Sequence, residues 1–215
     1  MRAKNLHFIL VAIIFASSCD KPELKSKPLL HKNEIEWIRQ HIKTASDFGL
    51  TAEIAKLLPN GCAIFYVGKG NINYDKTEDY LIITENHQTE DFRTLYVILS
   101  KNDKHYLFAE NDSAIGGKYC GGMYGDCFRE VVFGPGGFTI EFYGGSGNNK
   151  WLLSDQFKYD KAKNEIYLIK VGEAGTKTIG IEHDHKDFDS FVTETDFGKI
   201  RFTEFRYGKD YFGRY

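Results

Sequence analysis

The sequence predicts a mainly β domain: an antiparallel β-sandwich-like or strongly bent sheet of about eleven short strands, with two N-terminal helices. Three observations lead there. Short segments that alternate apolar and polar residues recur at close spacing from Cys62 to Phe205, as in Phe138-Thr-Ile-Glu-Phe-Tyr143, the two-residue period of strands with one buried and one wet face. Gly, Asn and Asp separate these segments, as tight turns require. The 17 Phe and 13 Tyr stand beside 21 Gly and only 4 Pro, a balance that favours strands and turns over long helices.

The 215 residues suffice for one domain with a real core. A formal net charge of −2, a pI near 6.4 and the lack of any long basic run argue against a nucleic-acid partner.

Taken in order, the chain starts with Arg2 and Lys4, an apolar run from Leu6 to Phe15, and Ala16-Ser17-Ser18 immediately before Cys19. An apolar run of about ten residues is too short to cross a hydrocarbon core of roughly 30 Å, so the segment reads as a signal for export. It resembles a bacterial lipoprotein signal peptide. That resemblance implies cleavage before Cys19, acylation of Cys19 (palmitate among the chains), and a membrane-anchored lipoprotein of the bacterial cell envelope. Removing residues 1–18 leaves 26 basic against 30 acidic side chains. Asp20 resembles the inner-membrane retention signal of enteric bacteria, a rule that does not hold in every lineage, so inner and outer membrane both stay open. Residues 19–32, charged and with two prolines, read as a solvated tether, and 33–215 as a single β-rich domain with a helical start.

The first helix is expected at Asn33 to Thr44, with Asn33 as cap, Glu34 and Glu36 in the first turn, and Ile35, Ile38 and Ile42 at helical spacing. A second should run from Thr51 to Leu58, ended by Pro59-Asn60-Gly61. Strands are expected at Cys62–Val67, Asp79–Thr84, Leu95–Ser100, Tyr106–Glu110, Val131–Phe133, Phe138–Tyr143 and Trp151–Tyr159. Further strands are expected at Glu165–Val171, Thr178–Glu182, Phe191–Thr195 and Lys199–Phe205. Asn102-Asp103-Lys104 and Asp196-Phe197-Gly198 read as hairpin turns.

Cys120 and Cys127 enclose a glycine-rich loop flexible enough for a disulfide in an oxidising compartment, which leaves Cys62 as a buried free thiol. A zinc site is the alternative, but the paired Cys-x-x-Cys spacing is missing. Asn71, Asn73, Asp75, Thr77 and Asp79 place oxygen ligands at alternate positions, the rhythm of an EF-hand-like calcium loop, so calcium is the one cofactor to consider. Lys76 stands where such a loop has its turn glycine. His183 and His185 fall on one side of a strand and would need a third ligand to hold Zn²⁺ or Cu²⁺; a solvated turn is the simpler reading of residues 182–187.

Gly144-Gly-Ser146-Gly lacks the strand-Ser-helix setting of a nucleophile elbow, and Gly68-Lys-Gly70 lacks the third glycine and helix of a dinucleotide fold. No catalytic residues are therefore assigned.

Gly70-Asn-x-Asn-x-Asp-x-x-Glu-Asp-Tyr80, Cys120-Gly-Gly-Met-Tyr-Gly-Asp126, Phe142-Tyr-Gly-Gly-Ser146, Phe157-Lys-Tyr159 and Tyr167-Leu-Ile169 together resemble a family of uncharacterised bacterial exported proteins. Members carry an Asp/Asn-rich loop, a Cys-Gly-Gly segment ending in Gly-Asp-Pro, and a Gly-Gly-Ser segment. Cys127 stands where that family tends to have Pro. The resemblance spans roughly residues 60 to 172 and implies export and a β-rich domain. The expected function is that of a lipid-anchored, non-catalytic envelope protein that binds a partner or ligand through its glycine-rich loops. The alternative is an envelope metal-dependent hydrolase with its metal at residues 71–79 or 183–187.

Overall fold

The computed structural model describes residues 43–85, 93–179, 184–209 and 211–212. Their strands form two antiparallel sheets. The first is a meander of β1 (Ala63–Gly70), β2 (Asp79–Glu85), β3 (Arg93–Lys101) and β4 (Lys104–Asn111), each bonded to the next. The second contains β5 (Phe128–Gly134), β6 (Gly137–Ser146), β7 (Asn149–Asp160), β8 (Glu165–Ile179), β9 (Asp184–Thr193) and β10 (Ile200–Arg201). β5 to β8 pair in sequence order, and β9 and β10 share the remaining edge of β8, at residues 170–179 and 167–168 respectively. Among the described residues two short helices, α1 (Ala52–Ala55) and α2 (Glu194–Phe197), complete the regular structure with a 3₁₀ turn at Phe202–Glu204.

Alternation in the strands decides where the cores lie. Leu81 and Ile83 of β2 and Leu95, Val97 and Leu99 of β3 point into a core shared with Val131, Phe138, Ile140, Phe142, Phe157, Ile166 and Leu168 of the second sheet. Tyr80, Ile82, Tyr96 and Ile98 occupy the opposite face, where Ile54 and Leu58 cover them. The register pairs Tyr80 with Ile98 and Ile82 with Tyr96, so this second face is as continuous as the first. Burial on both sides is why Tyr80-Leu-Ile-Ile83 is uninterrupted by polar residues.

The C-terminal segment belongs to the shared core. Phe202 and Phe205 meet the Phe157 ring edge-on at 5.6 and 5.1 Å. Each such fully buried ring contributes about 1.5–3 kcal/mol. Asn111, at the end of β4, donates its side-chain amide to the carbonyls of Phe202 and Phe205, and the Tyr207 amide donates to the Ser113 carbonyl at 2.8 Å. The segment therefore ties the two sheets together.

The structure departs from the sequence expectations at several elements. The helix expected at Asn33–Thr44 lies outside the described residues except for its last two positions, which are not helical. The second helix shrinks to Ala52–Ala55, with the Thr51 hydroxyl accepting from the Ile54 amide at 3.3 Å. Glu165–Val171 and Thr178–Glu182, expected as two strands, are one through Ile179: the 15-residue β8 takes in the first and the start of the second, and residues 180–182 lie outside the described residues. Its glycines serve close packing and not a turn: a Cβ at Gly175 would collide with the Lys150 carbonyl, and one at Gly172 would lie 2.5 Å from Ser154 Oγ.

Ten strands thus replace the expected eleven among the described residues. Lys199–Phe205 is strand only at Ile200–Arg201, because burying both Phe202 and Phe205, three apart, suits a 3₁₀ turn and not a two-residue period. Asp196-Phe197-Gly198 closes α2, with Gly198 at φ 79°, and is no hairpin. Asn102-Asp103 does form a two-residue hairpin turn, both residues at positive φ (52° and 61°), as a primed turn demands.

Candidate functional site

The two glycine segments singled out in the sequence meet. Cys120 and Cys127 are bridged, with Cα atoms 5.1 Å apart. The loop they close folds against the end of β6: the Met123 amide donates to the Gly145 carbonyl at 3.0 Å, and the Gly145 amide to the Gly121 carbonyl at 3.0 Å. Gly122 and Gly145 form a parallel bridge. This contact requires glycine, since a Cβ at Gly144 would strike the Trp151 ring on one side and lie 2.8 Å from Gly121 Cα on the other. On this backbone support Tyr119 and Met123 stand 70% and 77% exposed, beside Tyr124 at 45%. Ser146 Oγ donates to Met123 Sδ at 3.3 Å, and the Tyr124 ring meets Tyr143 edge-on at 5.1 Å.

Arg93 locks the loop to the first sheet. Its guanidinium forks onto both oxygens of Asp126, donates to Glu85 at 2.9 and 2.6 Å, and stacks 3.8 Å from the Phe65 ring centroid. Burial works against the charge, but Asp126 and Glu85 outweigh it and hold Arg93 more firmly protonated than usual. Asp126 Oδ1 also accepts from the Phe128 amide at 3.0 Å. Cys62 is half-buried, not fully buried as expected, and burial pushes its thiol up.

Asn71, Asn73, Asp75, Thr77 and Asp79 fall in one loop between β1 and β2, with Tyr74 and Lys76 in the left-handed region. Asp79 is fully buried. One of its oxygens accepts from the Ile72 and Asn73 amides at 2.7 and 3.3 Å, the other from the Ser100 amide and hydroxyl at 2.8 and 3.1 Å. Burial still leaves its pKa raised. At Asp75 burial also pushes upward, yet hydrogen bonds from Thr77, Asn73 and Ser100 hold the carboxyl below its usual value. Asn71 Oδ1, at the first ligand position, is buried without a hydrogen-bond partner. Ser100 was invisible as a member of this network because it is supplied from β3, 21 residues beyond Asp79.

His183 lies outside the described residues. His185 is in β9 opposite Thr178, its Nε2 3.4 Å from Asn148 Nδ2. Among the described residues no group of three or more His, Cys, Asp or Glu is arranged to hold a metal ion.

A further acid escaped the sequence reading. Asp155 is 5% exposed on the inner face of β7, in line with Trp151, Leu153 and Phe157. Burial raises its pKa to about 7. It lines a cleft of about 260 Å³ with Trp151, Leu153, Val171, Glu173, Phe205, Gly208, Lys209, Tyr211 and Phe212. The signal was available: Trp151-x-Leu153-x-Asp155-x-Phe157 puts a carboxyl on the apolar side of a strand. Tyr207 lies nearby, its hydroxyl 3.2 Å from Cys127 Sγ, and burial first, then Asp155 and Asp126, push it up to about 12.

Comparison with protein-family models, with curated proteins and with solved structures finds no match to this chain.

Proposed function

We propose that the protein is a lipid-anchored, non-catalytic component of a bacterial cell envelope that binds a partner protein through the rim built by its two glycine-rich segments. What supports this most is the presentation of Tyr119, Met123 and Tyr124: exposed apolar side chains on a loop fixed by a disulfide, by the Arg93 fork and by backbone bonds to β6. Aromatic residues and Met are enriched at protein interfaces, and a support that is already rigid loses little freedom on binding. The signal-like segment ending at Cys19 supplies the location, and an oxidising compartment suits the bridge.

The test compares the full chain with a Tyr119→Ser, Met123→Ser, Tyr124→Ser variant as baits in solubilised envelope from the source bacterium. A partner retained by the parent and lost by the equally folded triple variant supports the reading; a partner retained equally by both refutes this surface. Labelled fatty acid incorporated by the parent and not by Cys19→Ala supports the anchor, and a chain that keeps Met1 and takes up no label refutes it.

A further inference from the structure

We infer that the cleft beneath the C-terminal segment is a binding site for a small organic cation, an alkylammonium or quaternary ammonium group, held between the Asp155 carboxylate and the aromatic side chains of Trp151 and Tyr211. This site is separate from the loop rim and does not depend on the partner-binding reading.

The argument begins with Asp155. It is nine-tenths buried, it borders the cleft, and among the described residues its carboxyl makes no hydrogen bond. A buried carboxyl in that position calls for a positive partner, since leaving it alone costs the desolvation of the ion.

The walls then select the kind of cation. Trp151, Phe205, Tyr211 and Phe212 line the same cleft as the carboxyl, and aromatic rings attract cations through their negative faces and tolerate alkyl groups. An anion would meet Asp155 and Glu173, and a neutral apolar ligand would leave Asp155 as it is. The cleft, at about 260 Å³, suits a compact head group better than a drug-sized ligand.

The chain also shows the interaction in its own terms. Lys209, which lines the same cleft, places its ammonium 5.6 Å from the Tyr211 ring centroid. That contact places a cation within cation–π range of the Tyr211 ring, and it makes Lys209 an internal competitor for an external one.

Among the described residues, the titratable groups around the carboxyl come from two elements: Glu173 from β8, and Tyr207, Lys209 and Tyr211 from the C-terminal segment. Both tyrosines are raised by burial first, and Asp155 adds to the shift, so they stay neutral as Asp155 titrates. Binding should therefore be linked to a single proton on Asp155.

The experiment titrates tetramethylammonium chloride into the full chain at constant chloride, followed by calorimetry, with neopentyl alcohol as the uncharged isostere. The expected result is saturable binding with a Kd on the order of 1 mM or tighter, and none for the alcohol. Affinity should rise nearly tenfold from about pH 5 to about pH 6 and level off above about pH 8. Asp155→Asn should weaken binding by about tenfold or more, and Lys209→Gln should tighten it several-fold. Absence of saturable binding by the parent, equal binding of the alcohol, or a flat pH profile would overturn the site. All three outcomes are read on the parent alone and decide the question even if a variant fails to fold.

Discussion

Arg93 and Asp155 are both buried charged residues, and the fold treats them in opposite ways. Arg93 has two carboxylates and an aromatic ring, so its charge is retained; replacing it with Lys removes the fork and the stacking together, at a cost of about 2–4 kcal/mol. Among the described residues Asp155 has burial and no compensating bond, so its proton is held more tightly in the folded state, about 7 against 3.8. The sign follows from that order. With respect to this group, stability is greatest below about pH 4, falls as pH rises toward about 7, and stays lowered above it, by on the order of 4 kcal/mol. Asp155→Asn removes the ionisation. Urea unfolding across pH should show the variant gaining on the parent by an amount of that order between acid and neutral pH, and a parallel pair of curves would refute the assignment. Arg93 meets Asp126 from 33 residues away, which spacing cannot show, whereas alternation puts Asp155 on the apolar side of its strand and only the fold shows that it borders a cleft.

At the scale of the element, the loop at residues 71–79 shows what its alternating oxygens do. Their rhythm was legible, and their partners were not, because Ser100 reaches the loop only through the β2–β3–β4 meander. Asp79→Ala should destabilise the fold by about 2–4 kcal/mol, since it strips partners from buried amides of Ile72 and Ser100. The ligand spacing, with Asn71 Oδ1 unpartnered, carries a second outcome: a rise in Tm with calcium that Asp75→Ala abolishes. No rise in the parent would assign these oxygens to the loop's own hydrogen bonds alone. β8 teaches a related lesson. Gly172 and Gly175 look like punctuation in a sequence, and only the neighbouring strand reveals that they make room for Ser154 and Lys150.

For the whole molecule, alternation made the mainly β class and most strand positions readable, and two-sided burial of the first sheet explains its apolar run. That burial depends on a thin cover, Ile54 and Leu58 over Tyr80, Ile82, Tyr96 and Ile98. Ile54→Ala should cost about 2–4 kcal/mol in chemical denaturation, and a change under about 0.5 kcal/mol would show that the cover is dispensable. The opposite core is completed from the far end of the chain, where Phe202, Phe205 and Tyr211 seat against Phe157 and one another. With Phe202, Phe205 and Tyr211 unseated, Phe157 loses the rings that cap it. Any state of the chain in which that segment is undocked therefore leaves Phe157 and its neighbours wet, and docking it is what shuts the interior.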